Sequence, residues 1–516
     1  MRLIEHFDRG AERFRDRACL VDADGARSYE QVRASSHRIA HALAAVGLRP
    51  GTKAAVYSAN AAAAFECVIG ILRAGMVWVP INVRNSIADS AFTLNACDVD
   101  LLFYQRTYAA NVQQLRLSCP RITQLVCIDA EDGQAPSLER FTARCGTAGF
   151  PEVEQRPEDL VTLFSSGGTT GTPKAVMMTN RSWEAMTLGC QILLAADDPV
   201  HLVAAPMTHA AGGSALAYAA MGMTNVILPG FDPASIMQAI ERHRVTHLFL
   251  PPTAIYRLLA HPDVRKYDYS SLRYFNFASA PIAVAKVKQA VEIFGPVMTT
   301  GFGQSETGLN CTHLSPTEVA QAVVAGDERR LGSVGRAGPS FRVEVMDDDG
   351  RLLGPGEAGE IVVRSEQLFA GYYRNPEESE RARAFGWHHS GDIGVKDSEG
   401  FLYIVDRKKD MIISGGFNVY PAEVERILAE HPAVQDCAVV GAPDEDWGEA
   451  VVAEVELRSG ATVAAEDLIS WCRSRLSGVK TPKQVRVTAE LPRSPVGKVL
   501  RRKVREAYWA GRDRKI

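Results

Sequence analysis

Ten consecutive residues, 165–174, bring together two serines, three glycines, three threonines, a proline and a lysine. Such a stretch is suited to holding phosphate. Glycine lets the backbone take positive φ and bring N–H groups close to an anion, threonine hydroxyls add donors, and Lys174 adds a mobile positive charge. The Walker-type loop needs G-x-x-x-x-G-K-[ST], and that pattern is not met, because Lys174 stands between Pro173 and Ala175. An ordinary Gly- and Thr-rich surface loop is the plain alternative.

The elements around the loop must carry it. Residues 160–164 form an apolar run that reads as a buried strand, so the loop is expected to leave the end of a sheet. Further upstream, Ser28 with Gln31 makes a capping-box start for a helix that Gly47 closes. Strands are expected at 53–57, 76–81, 101–104, 124–128, 202–205, 226–228 and 247–250, with a helix at 61–72. Strand and helix alternation of this kind predicts parallel sheets flanked by helices. From about Arg342 the texture changes to short strands at 342–346 and 360–363, expected as a small antiparallel or barrel-like subdomain. The charged segment 406–410 reads as exposed, and the domain boundary is expected there. Pro421 opens a helix, strands follow at 437–440 and 451–457, and a second helix covers 463–476.

Composition narrows the class. The chain has 516 residues, 46% hydrophobic and 23% charged, with a formal net charge of -4. That suits a large globular domain with an appended module and offers no broad attraction to nucleic acid. Lysine and arginine gather between Arg493 and Lys515, a run read as a solvated face. Ten scattered cysteines, with no C-x-x-C pair, read as reduced thiols, so the expected setting is the cytoplasm. Residues 1–10 carry no hydrophobic signal core, and the most apolar region, 202–228, is interrupted by Pro206, His209 and Asn225, so no transmembrane segment is expected.

Phe302-Gly303-Gln304-Ser305-Glu306, Ser390-Gly391-Asp392, Asp406-Arg407 and Pro495-Val496-Gly497-Lys498 follow the glycine-threonine loop in order. With them the chain resembles the adenylate-forming superfamily over essentially its whole length, and within it the acyl-CoA synthetases. The resemblance implies an α/β fold with a large N-terminal domain, 1–406, and a small mobile α+β domain, 407–516, hinged near Lys409. It implies ATP, Mg2+ and coenzyme A as cofactor and co-substrates. The implied reaction activates a carboxylic acid as an acyl-adenylate and then transfers the acyl group to CoA.

By the same resemblance, Ser166, Gly168, Thr169, Thr170 and Lys174 hold the phosphates of ATP. Gly167 departs from the usual serine and is left out. Phe302 stacks on adenine in place of the commoner tyrosine, needing only a flat apolar face. Ala280 and Gly301 line the nucleotide, and Ser305 touches the α-phosphate. Glu306 holds magnesium, with Thr170, since a hard cation takes oxygen ligands. Asp392 and Arg407 are the implied ribose pair, a carboxylate being able to accept from both vicinal hydroxyls. Lys498 neutralises charge during adenylation, His209 gates the carboxylate, Lys409 is the hinge, and Gly415 and Gly416 line the path of the CoA arm. Against each stands a plainer reading: a core aromatic for Phe302, a solvated carboxylate for Glu306, a Gly-Asp turn for Asp392, a solvated charge for Arg407 or Lys498, and a buried structural histidine for His209.

Small residues at Ala210, Ala211, Gly212, Gly213, Ala215, Thr300 and Gly301 suggest room for a medium to bulky apolar acid, whether fatty, aryl or alicyclic. A luciferase-like adenylating oxygenase shares every motif, and a non-catalytic nucleotide-binding homologue is the third reading. A homodimer is compatible with all three.

Overall fold

The computed structural model describes residues 1–165, 174–208, 210–280, 282–493 and 499–510. These form two compact units, one drawn from the described residues of 1–343 and 363–388, the other from those of 344–362 and 389–510.

The first unit holds two mixed sheets. One has six strands in the order Gln124–Cys127, Val99–Tyr104, Lys53–Tyr57, Val77–Pro80, Leu160–Ser165 and Ala175–Thr179. Its neighbours run parallel except the last pair, where Phe164 opposes Val176 in an antiparallel ladder. The other has seven strands in the order Met298–Thr300, Tyr274–Phe277, His247–Leu250, Val200–Val203, Thr224–Ile227, Ala18–Asp22 and Gly25–Ser28, again parallel up to an antiparallel last pair. Runs such as Leu-Leu-Phe-Tyr at 101–104, buried throughout, are what strands covered on both faces require.

The expected helices form for the expected reasons. Ser28 caps Tyr29–Ala45, accepting from the Gln31 N–H while the Gln31 side chain accepts from the Ser28 N–H. Helix Ala62–Arg73 is buried almost all round, and it meets helix Tyr29–Ala45 so closely that a Cβ at Gly70 would lie 2.4 Å from the Ile39 side chain. A Gly70 substitution would force the two helices apart.

Arg342–Met346, Ala358–Arg364, His388–Lys396 and Leu402–Arg407, mostly within the second unit, give a four-stranded sheet whose last pair is antiparallel, at the place where the sequence suggested a small antiparallel or barrel-like piece. A five-stranded sheet follows, built on the long antiparallel pair Val434–Asp444 and Gly448–Leu457 and covered by helices Pro421–Ala429 and Ala465–Arg473. Compactness divides the chain differently from the 406/407 boundary expected from sequence, because strand Leu402–Arg407 is tied forward. The Ala422 N–H donates to Asp406 at 2.5 Å, and Arg501 pairs with the same carboxylate. The expectation that 406–410 is an exposed segment is corrected accordingly: Asp406 is buried, Arg407, Lys408 and Asp410 are half-buried, and only Lys409 is exposed. A row of charges reads as solvated until the partners that bury it are known.

Candidate active site

In the first unit the chemistry-bearing loops leave the C-terminal ends of parallel strands, which is where open α/β sheets take ligands. Strand Leu160–Ser165 leads into the glycine-threonine loop, Tyr274–Phe277 into 278–280, and Met298–Thr300 into 301–306. Ser166, Gly168, Thr169, Thr170, His209 and Lys498 lie outside the described residues.

Lys174 immediately precedes the return strand Ala175–Thr179. Its ammonium forms an ion pair with Glu378 and sits 4.8 Å from the centre of the Tyr372 ring. The backbone places that ring. Segment 370–373 runs beside the return strand, with Ala370 N–H donating to Met177 at 2.7 Å, Met177 N–H to Gly371 at 3.0 Å and Tyr373 N–H to Ala175 at 2.8 Å. Gly371 has φ 132° and a Cβ there would lie 3.0 Å from the Ser379 hydroxyl, so glycine suits the position. Ser379 accepts from the Tyr372 N–H at 2.8 Å. The Tyr372 hydroxyl donates to Glu306 at 2.9 Å, and the Glu306 carbonyl accepts from the Phe369 N–H at 2.9 Å. The structure thus brings Lys174 and Glu306 to either side of one tyrosine.

Electrostatics follow from these contacts. The Lys174 hydrogen bond holds the Glu378 carboxyl below its ordinary range, helped by Arg381. Burial first, then the charge of Glu306, pushes the Tyr372 phenol above its ordinary value, so it remains a donor. Tyr372 and Glu378 were missed by sequence reasoning. The available signal was Gly371-Tyr372-Tyr373 ahead of the Asn375-Pro376 helix start, but Glu378 there looks like a first-turn acid that complements a helix dipole.

Gly301 and Phe302 sit on a hairpin-like return. The Phe302 N–H donates to the Thr312 hydroxyl at 2.9 Å, and a Cβ at Gly301 would lie 2.2 Å from the Thr312 carbonyl. Phe302 is buried, Ser305 and Glu306 are half-buried, and Ala280 is exposed, beside Ser279 at φ 75°. Gly212 is likewise demanded by packing, since a Cβ there would lie 1.8 Å from the Met207 carbonyl. Smallness at 212 and 301 therefore has a backbone cause independent of any acid.

In the second unit Asp392 faces Arg407 across an antiparallel ladder, its carboxylate 3.6 Å from Arg407 Nε, and it is buried within strand His388–Lys396. The plain Gly-Asp turn is thereby excluded. Glu360, also missed from sequence, ties this region together: it accepts from the Gly391 N–H at 2.9 Å and from Lys408 at 3.0 Å, and lies 3.0 Å from His389 Nδ1. Burial works to raise its pKa, but the His389 and Lys408 contacts outweigh it and the net shift is downward. Lys409 lies in the turn Lys408–Asp410, its carbonyl accepting from Arg505 at 3.4 Å. Gly415 and Gly416, at φ 56° and 81°, join Ile412–Ser414 to Phe417–Val419 as a two-residue hairpin, which requires positive φ at both positions. A Cβ at Gly415 would lie 2.6 Å from the Trp447 ring.

Among the described residues no group of three or more His, Cys, Asp or Glu stands ready for a metal. Magnesium is held by one or two carboxylates with substrate phosphates and water rather than by an all-protein cage, so a single anchored Glu306 carboxylate fits it. All ten cysteines are free, nine of them buried, and no helix among the described residues is long and apolar enough to cross a membrane.

Residues 7–373 match the model of the AMP-binding enzyme family and residues 423–498 that of the AMP-binding enzyme C-terminal domain. The chain belongs to this family. It is 36% identical over 448 residues to a medium/long-chain-fatty-acid–CoA ligase, FadD8, of Mycobacterium tuberculosis, covering 84% of this chain and 77% of that one. It is 34% identical to a feruloyl-CoA synthase of Amycolatopsis, covering 93% and 94% of the two chains. The solved amide bond synthetase McbA of Marinactinospora thermotolerans superposes with a TM-score of 0.87 at 29% identity, covering 98% of this chain and 100% of its own.

Proposed function

We propose that the protein is an AMP-forming acid–thiol ligase that converts a medium to bulky apolar carboxylic acid, fatty, aryl or alicyclic, to its CoA thioester. The observation that carries this is the pairing of Lys174 and Glu306 around Tyr372, at the mouth of parallel strands, in a chain of the AMP-binding family. A carboxylate is a poor electrophile because its leaving group would be oxide. In the first step the carboxylate oxygen attacks the α-phosphorus of ATP, the bond to the β-phosphate oxygen breaks, and pyrophosphate leaves. In the second, the CoA sulfur attacks the acyl carbonyl and AMP leaves.

Lys174, with Ser166, Gly168, Thr169 and Thr170, holds the β- and γ-phosphates. Ser305 and Lys498 offset charge at the α-phosphate, which a positioned donor does best in a site closed to water. Phe302, Ala280 and Gly301 line the adenine, and Asp392 with Arg407 takes the ribose hydroxyls. His209 is assigned the role of gate for the acid carboxylate. Glu306 and Thr170 would hold Mg2+, which when bound supplies charge neutralisation for the phosphates. Backbone rotation at Lys409 separates the two half reactions, with 407–516 as the moving part, and Gly415 and Gly416 border the pantetheine arm. A cytoplasmic setting suits ten unpaired thiols, and light scattering tests for a homodimer.

The test is exchange of labelled pyrophosphate into ATP across a panel of fatty, aryl and alicyclic acids, followed by thioester formation with CoA. Exchange with at least one apolar acid and a CoA product is expected; no exchange with any acid would refute the reading. Light emission with oxygen would instead favour the adenylating oxygenase. Lys498→Ala is expected to lower exchange by roughly 100- to 1,000-fold, the usual loss for a charge-stabilising group, while sparing thioester formation from preformed acyl-AMP. Equal loss in both steps would refute the assigned division of labour.

A further inference from the structure

We infer that Tyr372 is a positioning residue that couples the metal-holding carboxylate to the phosphate-holding lysine, its hydroxyl orienting Glu306 and its ring face seating Lys174. The inference rests on the proposed roles of Lys174 and Glu306 and adds a residue that those roles do not require. Three observations carry it. The phenol hydroxyl donates to Glu306 at 2.9 Å, leaving the other carboxylate oxygen a defined direction. The Lys174 ammonium lies 4.8 Å from the ring centre, within the range of cation–π attraction. The ring itself is held: only 8% of Tyr372 is exposed, Phe369 packs against it edge-on at 4.9 Å, and its backbone is pinned by Ser379 and by the bridge to Val176.

A carboxylate that binds a hard cation with few protein ligands loses affinity when it must be ordered on binding, so an orienting donor improves the site before the metal arrives. The ring face does the same for the lysine. A flexible four-carbon stem is kept over one surface while the ammonium remains able to turn toward a phosphate.

The test separates orientation from simple structural support. Mn2+ binding to the ATP complex is followed by electron paramagnetic resonance, and ATP binding in EDTA by calorimetry, for wild type, Tyr372→Phe, Tyr372→Leu, Glu306→Gln and the Y372F/E306Q pair. Y372F, which keeps the ring, is expected to weaken Mn2+ binding about tenfold, the worth of a hydrogen bond to a charged group, and to leave metal-free ATP binding within about twofold. Y372L is expected to weaken metal-free ATP binding as well, by about two- to fivefold, through loss of the ring face. In the E306Q background Y372F should add little further loss, because the hydroxyl acts through that carboxylate. Unchanged Mn2+ affinity in Y372F, or losses that simply add in the pair, would overturn the inference while leaving the proposed function intact. Wild-type protein that takes up no Mn2+ and ATP would overturn both.

Discussion

Two clusters of charge, one in each compact unit, pair cations with carboxylates to opposite ends. In the second unit Arg501 is clasped by Asp406 at 2.5 Å and by both oxygens of Glu425, with Asp410 at 3.6 Å, and Arg505 adds a further contact to Asp410 at 3.4 Å. The Asp406 side chain is 2% exposed and those of Arg501 and Glu425 are each 19% exposed. In the first unit Lys174 and Glu378, 37% and 29% exposed, meet beside an aromatic face. Arginine presents a planar fork that fits two carboxylates at once and is hard to release, whereas a lysine ammonium is a point charge on a flexible stem. The Arg501 cluster is held by many contacts, of which rotation at Lys409 would have to release those to Asp406 alone, whereas the Lys174 pair can change partner by moving one side chain. Burial sets how costly each separation is, because charges removed from water are costly to part.

The largest expected effect comes from opening the closed cluster. Arg501→Ala leaves Asp406 and Glu425 buried without their cation, and such a break costs about 3–5 kcal/mol. Urea denaturation of the variant should show that loss, with little sensitivity to salt in the wild type because buried pairs are poorly screened. A loss below about 1 kcal/mol would mean that water reaches the cluster and that the contrast with Lys174 is false.

A second test asks what burial does where no counter-charge is supplied. His201 and His247 lie on adjacent strands of the seven-stranded sheet, with Tyr218 5.4 Å from one ring and 5.7 Å from the other. They are bonded to neutral groups: Asn225 for His201, and Thr246 and the Leu194 carbonyl for His247. Burial lowers the pKa of each to about 4 from 6.5. A base with a depressed folded-state value contributes its full stability above pH 6.5 and loses it as pH falls toward 4, since the unfolded chain takes up the proton first. By pH 5 each ring should remove roughly 2 kcal/mol. Melting temperatures measured from pH 7 to pH 5 should fall, and the fall should shrink in His201→Asn. A flat profile would show that these rings gain partners on charging.

Much of this was legible beforehand, for physical reasons that also mark the limit. Helix Tyr29–Ala45 was readable from Ser28 and Gln31 because a cap is a local interaction three residues long. Strands such as Lys53–Tyr57 and His247–Leu250 were readable because their apolar runs are bounded by polar turns. Lys174 was legible from the dense glycine and threonine run before it and Glu306 through the family resemblance, but the residue joining them was not. Tyr372 lies 66 positions from Glu306, and only the pairing of segment 370–373 with the strand after the glycine-threonine loop brings it there. Asp406 failed for the mirror reason: its partners Ala422 and Arg501 are distant in the chain, so a buried anchor looked like a solvated charge.

The smallest effect is expected where the comparison is sharpest. Glu378→Gln removes the carboxylate that Lys174 faces and leaves an amide of nearly the same shape. A partly exposed pair contributes about 0–1 kcal/mol, so the melt should barely move. Binding should move instead. To grip a phosphate, the Lys174 ammonium must share or give up its contact with Glu378, and a neutral amide competes less than a carboxylate. ATP binding measured by calorimetry is therefore expected to tighten by about two- to fivefold, with most of the gain at low ionic strength, where the competing attraction is least screened. Weaker ATP binding would reverse the picture: Glu378 would then be holding the lysine in place for phosphate, and this pair would be a fixed support like the one around Arg501.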